Sequence, residues 1–195
     1  MLRDGLGKEP EALLHSVNSP GALPASFVFP RDLQPGLTLV TGPRGAGKTL
    51  WCMGLAKHAR ALGMDVRGLA SPAVMDGDQK VGIDLLDLAS GERRRLAVRR
   101  GEAGGDLAMT DWQMVAETLE WGNALLERIQ PCDLFVLDEL GPLEFQNGVG
   151  LTAGLNFVDA HRGFPLFVVV RPSLLDAARQ RWPWSTTLDL TTEAA

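Results

Sequence analysis

The chain has 195 residues, 45% hydrophobic and 22% charged, which suits a single soluble globular domain with a sizeable core. A formal net charge of -5 argues against nucleic-acid binding through broad electrostatics. Cys52 and Cys132 stand too far apart for a zinc motif or a disulfide framework, and no apolar run reaches the roughly 18 to 20 residues that span a bilayer, so a cytoplasmic protein without a membrane span is expected.

Met1 to about Pro30 is punctuated by glycine and proline, with only "EALLHSV" between them looking helical. It reads as a partly ordered N-terminal extension, residues 1–30, ahead of a domain at 31–195. "GLTLVTG", Gly36 to Gly42, is a β-rich run ending in glycine. "TLWCMGLAKHARALG" after Lys48 reads as a helix stopped at Gly63, and "MDVRGLA" as a second strand. Strand, helix, strand in that order is a parallel βαβ unit. "KVGIDLLDL" and "RRRLAVR", joined by "ASGE", then resemble an antiparallel hairpin turning at Gly91 and lying beside the main sheet. "GEAGGD" reads as a flexible linker, and "TDWQMVAETLEWGNALLERI" as a helix capped by Thr110 or Asp111. A strand "LFVL", a helix through "LTAGLNFVDAHRG", a strand "PLFVVV", a short helix "SLLDAARQR" and a strand "TTLDL" complete the chain. The alternation predicts an α/β, three-layer fold. It has a mainly parallel central sheet, helices on both faces and an antiparallel hairpin in the middle region.

Chemistry enters at "GPRGAGKT", Gly42 to Thr49, which matches G-x-x-x-x-G-K-[ST] with a strand before it and a helix after it. The glycines let successive N–H groups curl around phosphate oxygens, and the helix aims its positive end at them. Gly42, Pro43, Arg44, Gly45, Ala46, Gly47, Lys48, Thr49 and Leu50 are therefore the candidate nucleotide-binding residues. Lys48 carries a mobile charge to the β and γ phosphates, and the Thr49 hydroxyl suits Mg²⁺. Arg44 is open to two readings, a phosphate contact or a solvated loop charge.

In "DLFVLDELGPLE", Asp133 to Glu144, acids cluster where a hydrophobic strand ends, and ligands of open parallel sheets bind at the carboxyl ends of strands. Asp138 takes the Walker B position as a metal residue, and Glu139 stands ready to deprotonate an attacking water. "DELG" also satisfies the D-x-x-G switch of GTPases. A Ras-type GTPase would carry N-K-x-D further on, but none of Lys8, Lys48, Lys57 and Lys80 follows it.

With "GPRGAGKT" and "DELGPLE" in hand, the chain resembles the thermophilic-type P-loop nucleoside-triphosphatase family from about Leu37 to Leu190, including "SPAVMDGDQKVGIDLLDLASGER" in the middle region. The resemblance implies a RecA-like or AAA-type core and Mg²⁺-dependent hydrolysis of ATP and other nucleoside triphosphates. Ala73, Met75 and Ile83 depart from the usual Glu, Arg and Phe of that segment. Glu144 matches the family pattern, which favours a supporting place behind the metal site over an acceptor-orienting carboxylate or a solvated loop acid.

Arg171, directly after "LFVVV", is the first candidate for the cation that steadies charge on the γ phosphate. Arg93, Arg94, Arg95, Arg99 and Arg100 form either a lid or the solvated face of a hairpin. Trp112 and Trp121 are expected to pack from one helix, while Trp182 and Trp184 in "WPW" offer either packing or an exposed platform. Hydrolysis of the β–γ anhydride is the leading reading. A small-molecule or nucleotide kinase and a nucleotide-dependent module docking on a protein partner remain as alternatives.

Overall fold

The computed structural model describes residues 33–99, 108–109 and 112–191. Its elements run β1 (Gly36–Thr41), α1 (Lys48–Ala61), β2 (Val66–Ala70), β3 (Ala73–Asp76), β4 (Gln79–Asp87), β5 (Arg93–Arg99), β6 (Ala108–Met109), β7 (Trp112–Met114) and α2 (Ala116–Leu126). There follow β8 (Leu134–Leu140), α3 (Pro142–Phe145), α4 (Thr152–Ala160), β9 (Pro165–Val170), α5 (Leu175–Arg181) and β10 (Thr186–Asp189). The N-terminal extension, the "GEAGGD" linker, Arg100 and the cap candidates Thr110 and Asp111 lie outside the described residues.

Among the described residues the strands form one sheet in the order β10-β1-β9-β8-β2-β4-β5-β7-β6, with β3 paired to β4. From β10 to β2 every pairing is parallel. Beyond β2 every pairing is antiparallel. The middle hairpin thus does not lie beside the sheet but prolongs it, joined at Leu69↔Asp87 and Ala70↔Leu86. The reason is burial on both faces of β4. Leu85 enters one core and Leu86 the other, as an interior strand requires.

Period-two alternation builds those two cores. Leu37, Leu39, Phe135, Leu137, Leu166 and Val168 point to the face covered by α2, α4 and α5. Val40, Leu134, Val136, Phe167 and Val169 point to the face where α1 lays Trp51, Cys52, Leu55, Ala56 and Ala59. Helices on both faces of a central sheet are as the sequence predicts.

The helix expected from Trp112 begins instead at Ala116. Trp112–Met114 pair with β5 at Arg99↔Trp112 and Ala97↔Met114, so the open edge of β5 claims them before the helix starts. Trp112 and Trp121 therefore do not share a helix. The "WPW" platform is absent too: Trp182 is buried, its indole N–H donating to Asp159 Oδ1 at 2.7 Å, and Arg162 covers Trp184 at 4.6 Å.

The strand order positions the site. Because β9 lies between β1 and β8, the carboxyl ends of β1, β9, β8 and β2 bring the glycine-rich loop, Arg171, Asp138 with Glu139, and Ser71 to one edge.

Candidate active site

The loop leaving β1 turns on glycines with positive φ: 145° at Gly42, 87° at Gly45 and 80° at Gly47, the residue before α1. These values favour glycine over residues with a Cβ and turn the backbone back over the end of the helix. The first-turn N–H groups of α1, at Lys48, Thr49 and Leu50, have no carbonyl one turn earlier and face the loop with the positive end of the helix. Pro43, Arg44 and Gly45 are exposed, and so is the Leu50 side chain, which leaves Leu50 its backbone as the group to offer. The Lys48 ammonium donates to the carbonyls of Gly42 at 2.7 Å and Pro43 at 2.9 Å, bridging the loop it belongs to.

Asp138 is 1% exposed. Its Oδ2 accepts from the Ser71 N–H at 3.1 Å, the Ser71 hydroxyl donates to its main-chain carbonyl, and the Thr49 hydroxyl is near enough to pull its carboxyl down. Burial pushes the carboxyl up to about 6, against the downward pull of Ser71 and Thr49, and Glu139 next to it pushes in the same direction as burial. Lys48 pulls the carboxyl down only weakly against burial, so the carboxylate gains from a further positive charge. Cys52, one turn into α1, is fully buried, and desolvation followed by Asp138 raises its thiol further, so it stays protonated and inert.

Glu139 is less covered. Its Oε1 accepts from the Arg171 guanidinium, which reaches across from β9, with side-chain exposures of 28% and 49%. The structure thus brings together Lys48, Thr49, Asp138, Glu139 and Arg171, all chosen from the sequence.

Glu144 has a different task from the three offered by the sequence. It is buried, and its two oxygens accept from the Gly141 N–H at 2.7 Å and the Leu151 N–H at 2.8 Å. It therefore clasps both ends of the loop between β8 and α4, and a Cβ on Gly150 would stand 2.2 Å from its Oε1. The described arginines of the cluster form a solvated face: Arg94 pairs with Glu92 and covers Trp121 at 4.5 Å, and Arg95 pairs with Asp84 at 2.8 Å. Ser71 was not singled out from the sequence, although it ends a strand as Asp138 and Arg171 do, and that position was the available signal. Among the described residues no three His, Cys, Asp or Glu side chains converge as a metal cluster. A cavity of about 550 Å³, lined by Pro35, Met64, Asp133 and Phe164 among others, lies at the opposite, amino edge of the sheet.

A family model described as NTPase matches residues 38–172. The nucleoside-triphosphatase THEP1 of Methanopyrus kandleri is 28% identical over 153 residues, covering 75% of this chain and 82% of that protein. The protein of the same name from Pyrobaculum aerophilum is 34% identical over 109 residues, covering 55% and 58%. Two solved structures share the fold. A human cancer-related nucleoside triphosphatase has a TM-score of 0.62 at 20% identity, over 80% of this chain and 88% of that one. THEP1 from Aquifex aeolicus has a TM-score of 0.60 at 16% identity, over 80% and 91%.

Proposed function

The chain belongs to the NTPase family and is a nucleoside-triphosphate phosphohydrolase, and from that premise we propose how its residues share the work of cleaving the β–γ anhydride of ATP and other nucleoside triphosphates. The observation that carries the reading is the meeting, on one sheet edge, of the Thr49 and Asp138 pair with the Glu139 and Arg171 pair, beside Lys48.

The loop from Gly42 to Gly47 and the first turn of α1 wrap the phosphates with N–H groups. Lys48 exchanges its two carbonyl partners for β and γ oxygens. Thr49 and Asp138 fit Mg²⁺, since a buried carboxyl held up near 6 against a hydroxyl gains a partner when a cation arrives. Mg²⁺ bound there supplies positive charge to the phosphate oxygens. Glu139 accepts a proton from water as its oxygen bonds to the γ phosphorus. The bridging oxygen leaves on the nucleoside diphosphate, and inorganic phosphate is the second product. Arg171 places its guanidinium on the charge that develops at the γ oxygens. The reading puts the enzyme in the cytoplasm, where nucleoside triphosphates are found.

The test is phosphate release from ATP, GTP, CTP and UTP by wild type, Lys48→Ala and Glu139→Gln, with Mg²⁺ and with chelator. Release that requires Mg²⁺ and is lost in both variants supports the assignment, whereas release surviving Lys48→Ala overturns it.

A further inference from the structure

Ser71 stands one residue beyond the carboxyl end of β2, and β2 runs parallel to the acid strand β8. The register between them ends at Leu69↔Leu137, the residue before Asp138. On the other side of β8 the register with β9 passes from Leu137↔Val168 to Leu140↔Val170, so Asp138 and Glu139 together lie against Val169 alone. An extra residue of this kind disrupts the ladder locally and re-aims a side chain. The two acids of the site therefore have no register partner on either neighbouring strand.

Ser71 bonds to this segment twice. Its N–H donates to Asp138 Oδ2 at 3.1 Å, and its hydroxyl donates to the main-chain carbonyl of Asp138. That carbonyl belongs to the planar peptide group joining Asp138 to Glu139, so one hydroxyl holds the plane whose two ends carry both acids. The serine is itself held. On its amino side Ala70 pairs with Leu86 of β4, and on its carboxyl side the Pro72 carbonyl accepts from the Asp84 N–H at 3.0 Å. Pro72 also keeps the backbone of Ser71 extended. Both neighbours of Ser71 are thus pinned to β4, and β4 to β5, which makes the antiparallel half of the sheet a support for the site.

We propose that Ser71 is a positioning residue for hydrolysis: through the Asp138 carbonyl its hydroxyl aims the Asp138 carboxylate at Mg²⁺ and the Glu139 carboxylate at the attacking water. This rests on the roles given to Asp138 and Glu139 above. The Ser71 N–H reaches only the Asp138 side chain, whereas the hydroxyl serves both acids. Once Arg171 turns from Glu139 to the γ phosphate, Glu139 keeps its aim through the backbone that Ser71 holds.

The experiment compares wild type, Ser71→Ala, Ser71→Cys, Ser71→Thr and Lys48→Ala by two readouts. One is steady-state hydrolysis of MgATP. The other is equilibrium binding of the β,γ-imido analogue of ATP with Mg²⁺ and with chelator, the ratio of which measures what the metal adds. Alanine removes the hydroxyl, cysteine keeps the volume with a weak donor, and threonine keeps the hydroxyl and suits an extended residue. Ser71→Ala and Ser71→Cys are expected to lower kcat and to shrink the Mg²⁺-dependent gain in affinity, each about five- to tenfold, the effect of one lost hydrogen bond. Binding in chelator should stay within about threefold of wild type, and Ser71→Thr should recover both readouts. Wild-type values in Ser71→Cys overturn the proposal, as does a loss confined to one of the two readouts. Ser71→Thr as impaired as Ser71→Ala, at a wild-type melting temperature, overturns it too. Should Ser71→Ala fail to fold, the cysteine and threonine variants carry the comparison. All of these outcomes leave the phosphate site standing as long as Lys48→Ala loses the analogue, and undiminished binding by Lys48→Ala overturns the site and the proposal together.

Discussion

Glu139 at the end of β8 and Arg171 at the end of β9 hold each other across neighbouring parallel strands. The pairing joins the proposed base to the proposed charge-stabilising cation, so each occupies the other until a γ phosphate draws the guanidinium away. The geometry follows from strand order, since β9 separates the loop strand β1 from the acid strand β8.

Arg171→Ala should lower kcat by about 10² to 10³, the usual cost of removing one preorganised group from developing charge, with KM for ATP moving only a few-fold. Folding should change by no more than about 1 kcal/mol, because the pair is half-exposed and solvent screens it. Steady-state kinetics with a thermal melt of the same sample checks this. A variant with raised KM and wild-type kcat would make Arg171 a ground-state binding residue instead.

Lys48→Ala isolates phosphate binding from folding. The ammonium bonds only to two carbonyls of its own loop, so the nucleotide-free melting temperature should stay within about 3 °C of wild type. Saturating MgATP should raise the wild-type melting temperature by mass action and leave the variant where it was. Equal shifts in the two proteins would show that the nucleotide binds elsewhere.

Much of this was legible in the chain itself. A strand ending in "GPRGAGKT" and another ending in "DE" share a sheet edge in any parallel α/β arrangement, so Lys48, Thr49, Asp138 and Glu139 could be brought together from sequence. Arg171 came from the same logic. What stayed hidden depended on partners far along the chain. Trp112–Met114 form a strand because β5 offers an open edge, which no local pattern announces. Glu144 matched a pattern, yet its work on the N–H groups of Gly141 and Leu151 needed the path of the loop.

Asp138→Asn should separate stability from activity, with a pH signature. The ordinary carboxyl value is 3.8, and burial raises it to about 6 in the folded protein. Below 3.8 both states are protonated and there is no penalty. As pH rises from there to 6 the folded state retains its proton more tightly than the unfolded one, so wild-type stability falls, and above 6 the full penalty persists. Asparagine does not titrate. In chelator and without nucleotide, the variant should therefore gain on wild type from pH 4 to 6 and level off at roughly 3 kcal/mol or less, while hydrolysis is lost. Urea melts at pH 4, 5, 6 and 7.5 decide it, and a constant difference would place the burial cost elsewhere.

Gly150 and Glu144 should be coupled in stability. Gly150 has φ of 84°, so any side chain there costs about 1 to 2 kcal/mol in backbone conformation alone. Its Cβ would also stand 2.2 Å from Glu144 Oε1, 2.9 Å from Cδ and 3.2 Å from Leu143 Cβ. Gly150→Ala must therefore displace the carboxylate that accepts from Gly141 and Leu151, leaving buried N–H groups at about 1 to 3 kcal/mol each. The single variant is expected to lose roughly 3 to 8 kcal/mol. In a Glu144→Ala background the carboxylate is already gone, so Gly150→Ala should cost only the backbone share, about 1 to 2 kcal/mol. Urea denaturation of both single variants and the double variant measures the coupling. Additive losses would mean that the Gly150 substitution acts through its backbone and not through the clasp that Glu144 makes on the loop after the catalytic strand.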